Sequence, residues 1–246
     1  MKGASEGAAI RFLSASITHV GKRRTLNEDA VFEAPDRALW AVADGMGGHE
    51  AGDVASNLTI EMIGQMQGSR NVDTVLAEAD AVLQDTNRRL VDMARASGSR
   101  STIGTTIVGL AIAGDRYGLF WAGDSRAYRL RGQDIRQLSR DHSLVQDLVE
   151  AGMLAIEDAE SHPDANVVTR AVGAAENLKV ARRVGDVQSG DIFLLASDGL
   201  TKVVDRIEIG DVLLRQNPAQ SCQTLVDLTL ERGAPDNVSV VIVRVA

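Results

Sequence analysis

The chain has 246 residues, 26 basic and 34 acidic side chains, a net charge of -8 and 44% hydrophobic content. That length can bury a sizeable core, and the acidic balance argues against non-specific nucleic-acid binding, which needs a basic footprint. Cys222 is the only cysteine and the four histidines (His19, His49, His142, His162) lack zinc-ligand spacing, which excludes a disulfide framework and a thiolate cluster. Any bound metal is therefore expected on oxygen ligands. No apolar run approaches the ~20 residues that span a bilayer, and Glu6 and Arg11 interrupt any signal-like apolar core. A cytoplasmic protein with no membrane partner is expected.

Residues 1–9 are small and polar and are expected to be flexible. Ile10 to Val20 alternates as a strand, followed by a charged loop from Gly21 to Asp29 and a short strand at Ala30–Glu33. Leu39–Ala43 reads as a buried strand that delivers Asp44 into a run of three glycines (Gly45, Gly47, Gly48), where the backbone is expected to turn sharply. Residues 50–66 and 72–94 carry apolar side chains at helical spacing, with Asn71 or Asp73 as a cap. A Ser/Gly-rich link over 97–101 then leads into hairpins, Thr105–Ala113 with Arg116–Ala122 and Ala127–Leu130 with Ile135–Leu138. Consecutive hairpins imply antiparallel pairing and argue against a doubly wound nucleotide-binding sheet.

A short helix is expected over 143–152. The segment 153–178 is irregular, with a turn of helix expected around Asn166–Ala171; long irregular segments of this kind often serve as lids. Val180–Val187 and Asp191–Ala196 read as a third hairpin around Ser189-Gly190. Two helices, Ile207–Gln216 and Ala219–Glu231, precede a last strand, Val238–Val245. A single α+β domain over 10–246 is the economical reading.

Several common chemistries are missing. The chain has no G-x-x-x-x-G-K-[ST] loop and no G-x-G-x-x-G after a strand. Gly123-Asp124-Ser125-Arg126-Ala127 imitates a nucleophile elbow, but Ala127 replaces the second glycine and a strand follows. What remains is a pattern of acids at strand ends: Asp29, Asp44, Asp124, Asp198 and Asp236, with Glu28 beside the first. Each alone fits an ordinary turn, and Asp124 also fits a tight turn closed by an internal ion pair with Arg126. Gathered together they would repel one another unless cations neutralise them. Oxygen ligands of this kind suit Mg²⁺ or Mn²⁺, and two such ions about 3.5–4 Å apart can acidify a shared water and clamp a phosphoryl group. Arg24, four residues before Glu28, could bind phosphate oxygens bidentately.

Six motifs then occur in order: Arg24-x-x-Asn27-Glu28-Asp29, Ala43-Asp44-Gly45-x-Gly47-Gly48, Gly104-Thr105-Thr106, Gly123-Asp124-Ser125-Arg126, Ser197-Asp198-Gly199-Leu200 and Asp236-Asn237-Val238-Ser239. Together they resemble the metal-dependent serine/threonine protein phosphatases (the PPM, or type 2C, family) in a compact stand-alone bacterial form. The resemblance implies an α+β fold, a central β-sandwich of two antiparallel sheets flanked by pairs of helices. It implies hydrolysis of phosphoserine and phosphothreonine in proteins by direct attack of a water or hydroxide bridging two Mn²⁺ or Mg²⁺ ions.

By the same resemblance, Asp44, Asp198 and Asp236 hold the first ion. Asp44 bridges to the second, which also takes the Gly45 carbonyl and, through water, Glu28. Asp29 orients the metal-bound water, Arg24 binds phosphate, and Asp124 with Asp198 holds a weaker third ion. Residues 143–165 correspond to a flap beside the site. Met46 stands where animal relatives carry a histidine proposed as general acid, so the proton for the leaving alkoxide is expected from metal-bound water, with His49 as second choice. The expected partners are phosphorylated proteins, among them a eukaryotic-like serine/threonine kinase and its targets, with a link to type VI secretion, and the protein is expected to be a monomer. Phosphorylated anti-sigma antagonists are a further substrate class, a non-catalytic binding module on the same fold is the competing reading, and a metallonuclease is disfavoured by the acidic balance.

Overall fold

The computed structural model describes residues 11–47, 51–97 and 102–246. The expected flexible stretch 1–9, Gly48, His49 and most of the 97–101 link lie outside the described residues. Strands β1 (Phe12–His19), β2 (Asp29–Ala34) and β3 (Leu39–Met46) precede helices α1 (Ala51–Gly64) and α2 (Val72–Ala96). Next come β4 (Gly104–Thr105), β5 (Ile107–Ala113), β6 (Arg116–Ala122), β7 (Arg126–Arg131), β8 (Asp134–Gln137) and α3 (Leu144–Glu150). The chain continues through β9 (Ala181–Asp186), β10 (Ile192–Ala196), α4 (Asp198–Thr201), α5 (Arg206–Arg215), α6 (Pro218–Glu231) and β11 (Val238–Val245). No helix among the described residues is long and apolar enough to cross a membrane.

The strands form two antiparallel sheets, β1-β11-β10-β7-β8 and β2-β3-β5-β6-β9, with β4 paired to the end of β3. Period-two alternation explains the layering. On β3, Leu39, Ala41 and Ala43 face a core shared with α1 and α2, whereas Trp40 and Val42 face the opposite sheet. On β11, Val241, Val243 and Val245 face that same central layer, and Val240 and Ile242 pack toward α5 and α6. The result is four layers, helices outside and sheets inside. Fully burying one such Val or Leu side chain contributes about 1.5–3 kcal/mol, so the three cores dominate the stability. Asn71 caps α2 by accepting from the N–H groups of Asp73 and Thr74, and Asn217 with Pro218 opens α6.

The structure corrects four expectations. β9 and β10 do not form a hairpin: β9 pairs with β6 in one sheet, while β10 lies between β11 and β7 in the other. Gly190 does take the left-handed conformation expected at the turn, but its N–H donates to the Val245 carbonyl and ties the loop to β11. The expected Thr105–Ala113 strand is split at Thr106, whose N–H is drawn to the Asp44 carbonyl. Asn166–Ala171 is not helical: Asn166 closes a turn, Val168 bridges Ser143, Val172 just beyond bridges Thr105, and the helical turn of this segment lies at Ile156–Asp158. Finally, β3 does not turn at Gly45. It runs on through Met46, with Gly45 opposite Thr105.

Candidate active site

The same alternation that builds the central core delivers polar residues where the sandwich ends. Continuing the inward-facing registers of Trp40 and Val42, Val31, Val108, Leu195 and Val241 leads to Asp44, Asp29, Thr106, Ser197 and Ser239. Asp29 and Asp44 are direct cross-strand partners between β2 and β3, a placement that sets like charges face to face.

Asp44, Asp29 and Glu28 are each fixed by hydrogen bonds to other segments. The Asp44 carbonyl accepts from the Thr106 N–H (2.8 Å) and the Thr105 hydroxyl (2.9 Å), and Thr106 Oγ1 in turn pairs with Ser125 Oγ at 2.7 Å. Asp29 accepts from Ser197 Oγ at 2.8 Å. Asn237 clamps the loop that carries Glu28: its side chain donates to the Val20 and Leu26 carbonyls and accepts from the Glu28 N–H, all within 3.0 Å. The Glu28 carboxylate receives the Gly52 N–H in the first turn of α1, where unpaired amides favour negative charge. Gly45 is required by this crowding, since a Cβ there would lie 2.1 Å from the Gly52 carbonyl oxygen. Gly199 is required likewise, because a Cβ would meet the Asn237 carbonyl oxygen at 1.9 Å.

Glu28, Asp44, Asp124, Asp198 and Asp236 line one cavity of about 330 Å³ together with Arg24, Gly45, Met46 and Thr106, and Asn166 and Val168 come from the expected flap side. Asp29 lies behind this ring, buried opposite Asp44. A larger cavity of about 430 Å³ adjoins it and shares Asp124, Asn166 and Asp198. The smaller one gathers Arg24 and five acids. Two cations enter the ring. Arg24 donates to Asp236 at 2.8 Å, and Lys202 to Asp198 at 2.6 Å.

The electrostatics are those of an under-neutralised cluster. Burial pushes the Asp29 carboxyl up to about 7, the hydroxyls of Ser239 and Ser197 pull the other way, and the charges of Asp198 and Asp236 add to the rise. Asp44 is raised well above the usual carboxylate range by burial and then by repulsion from Asp29, Asp198, Asp124 and Asp236. Asp124 rises to about 6 through burial and Asp198, partly offset by Lys202. Burial disfavours the Lys202 ammonium, but Asp198, Asp124 and Asp44 outweigh it and its pKa is raised. Arg126 does not close a turn on Asp124. Its Nε and NH2 both bind Asp141, at 2.8 and 2.7 Å, which leaves Asp124 to the cavity.

Among the described residues, no three Asp, Glu, His or Cys side chains form a group that could grip an ion alone. The acids ring a cavity instead, with the Asp198 and Asp236 carboxylates drawn toward Lys202 and Arg24. The donor set is entirely oxygen. It fits a hydrated hard cation, whose waters fill the positions that the carboxylates leave open.

His142 is no ligand. It is buried, accepts from the Gly123 N–H at 3.1 Å, and stacks on Trp121; burial and then Arg170 and Arg140 lower it to about 4, so it is neutral. Cys222 lies in the core of α6 with its thiol pushed by burial to about 12. Thr106, Ser197 and Asn237 stand inside the family motifs without an assigned role, and Lys202 stands outside them; its signal is the four-residue spacing from Asp198 on one helical turn.

Residues 18–233 match the model of the protein phosphatase 2C family. The serine/threonine protein phosphatase PstP of Mycobacterium tuberculosis is 36% identical over 92% of this chain, which spans only 43% of the length of PstP. Protein phosphatase PhpP of Streptococcus pneumoniae is 35% identical over 92% of this chain and 95% of its own length. Among solved structures, PppA, described as a key regulatory component of T6SS in Pseudomonas aeruginosa, aligns with a TM-score of 0.89 and 42% identity over 96% of this chain and 98% of its own. The PstP catalytic domain, in complex with 2 manganese ions, aligns with a TM-score of 0.86 and 32% identity over 96% of this chain and 99% of its own. The chain belongs to the protein phosphatase 2C family.

Proposed function

We propose that this chain hydrolyses phosphoserine and phosphothreonine in proteins, as one catalytic unit over 10–246 with residues 143–165 as its flap. The observation that carries the reading is the ring of Glu28, Asp44, Asp124, Asp198 and Asp236 around one cavity with a single arginine at its edge. Asp44, Asp198 and Asp236 would hold one Mn²⁺ or Mg²⁺, and Asp44, the Gly45 carbonyl and Glu28 a second; Asp124 and Asp198 flank the place of the weaker third ion that the resemblance implies, where Lys202 already contacts Asp198. Ions bound there acidify water and neutralise the charge of the phosphoryl oxygens. Arg24, half-exposed at the cavity edge, binds the substrate phosphate and aligns it for in-line attack. Asp29, held by Ser197 behind Asp44, orients the attacking water. Met46 lines the cavity and has no proton to give, so the leaving alkoxide takes its proton from water in the cavity.

The likeness to PppA and PhpP supports phosphoprotein substrates, and we place the reaction in the cytoplasm of a bacterium, carried out by a monomer that opposes a serine/threonine kinase, with control of type VI secretion as one setting. No acid of the set is missing, so no observation favours a non-catalytic binding module. Phosphate release from a phosphothreonine peptide tests the reading. Metal-stripped protein is expected to be inactive and to recover with Mn²⁺, whereas Asp198→Asn stays inactive. Full activity of Asp198→Asn, or activity that survives a chelator, would contradict it.

A further inference from the structure

Lys202 stands at the seam between the two cavities. It closes α4, one helical turn beyond Asp198, so its stem folds back over the acid that opens the helix. The ammonium donates to Asp198 Oδ2 at 2.6 Å and to Asn166 Oδ1 at 2.6 Å, an acid of the catalytic ring and an amide one residue past the flap. Asp124, Asp198 and Asn166 are the three residues common to both cavities, so the charge lies on their shared wall. Asp124 is buried and has no hydrogen bond to Arg126, and the nearby Lys202 charge favours its ionised form.

We propose that Lys202 is a built-in cation that takes the place of the third divalent ion, neutralising Asp198 and Asp124 and pinning the flap through Asn166. The proposal rests on the phosphatase reading for the two core ions. An ammonium is a compact point charge with three donors on a flexible stem. It can meet two oxygen ligands from distant segments much as a hydrated ion would, yet it is covalently tethered and always present. A divalent ion entering between Asp124 and Asp198 would have to displace it and leave a half-buried ammonium without its acids. The chain is therefore built to saturate with two ions, with Lys202 joining Asp198 to Asn166.

The test counts Mn²⁺ per chain by equilibrium dialysis of metal-stripped protein, with a thermal melt to verify folding. Wild type is expected to saturate at two ions. Lys202→Met, which keeps the length and removes the charge, is expected to bind a third, and Lys202→Met with Asp124→Asn is expected to return to two. Three ions on wild type, or two on a folded Lys202→Met chain, would overturn the proposal while leaving the phosphatase reading intact. Fewer than two on wild type would overturn both. If Lys202→Met does not fold, Asp124→Asn in the wild-type background decides. An unchanged count of two supports the proposal, and a drop from three to two contradicts it.

Discussion

β10 has an acid near each end, and the two have opposite fates. Asp191, just before the strand, is buried and fully answered from within the chain: Arg131 Nε and NH2 bind its two oxygens at 2.7 Å each, and the Gln188 N–H adds a third bond at 2.9 Å. Asp198, just after the strand, joins Asp44, Asp124, Asp236 and Glu28 around a cavity where Arg24 and Lys202 are the cations in contact. Both ends bury carboxylates at the rim of a sheet. What separates them is the local charge count: a buried acid with a bidentate arginine is complete, whereas a ring of acids that outnumbers its cations is complete only with charge supplied from outside.

That contrast can be broken from either side. The largest effect is expected at the open end, where Asp44→Asn is expected to lower kcat for phosphopeptide hydrolysis by at least ~10²–10³-fold at saturating Mn²⁺. A loss of less than tenfold would remove Asp44 from the reaction. At the closed end, Arg131→Ala leaves Asp191 buried and unpaired and is expected to cost about 3 kcal/mol, a Tm drop of roughly 6–12 °C. Its kcat per folded molecule is expected to stay at the wild-type level. A change in kcat there would mean that the two ends are not independent.

The pH dependence sharpens the comparison further. Asp29 sits near 7 in the folded chain against an ordinary value of 3.8. Between those values the folded state keeps a proton that the unfolded state releases, so the contribution from Asp29 falls as pH rises from about 4 to about 7. His142, lowered to about 4 from 6.5, has the opposite sign, and its contribution is lost as pH falls through that window. In metal-stripped protein, Asp29→Asn is therefore expected to raise Tm at pH 8 and to leave it unchanged at pH 4. Equal Tm values for the two chains at pH 8 would contradict the repulsion argument. The smallest effect is the control: Asn71→Ala at the cap of α2, remote from both acids, is expected to cost about 1 kcal/mol without altering kcat.

The ring of acids was legible in the sequence because each member ends or begins an apolar strand, and alternation fixes which face that strand presents. Most element boundaries followed from the same periodicity; β11 matches its expected span of Val238–Val245 residue for residue. What escaped were the partners made by long-range packing. Asn237 is about 210 residues from the loop it clamps, and Ser197 is 168 residues from Asp29. The β9–β10 pairing was misread for a related reason. The turn chemistry at Gly190 is local and was right, but β6 and β11 compete for the two strands and pull them into different sheets. Lys202 is not legible in the sequence because a lysine at the end of a helical turn is ordinarily only a solvated charge.

The central claim is that the open end is held together by cations from outside the chain. Thermal melts of metal-stripped protein at pH 8, with and without Mn²⁺, test it most directly when run on wild type and Asp44→Asn side by side. Mn²⁺ is expected to raise the wild-type Tm, and Asp44→Asn is expected to start higher without metal and respond little to it. A lower metal-free Tm for Asp44→Asn, or an equal Mn²⁺ response in both chains, would contradict the claim.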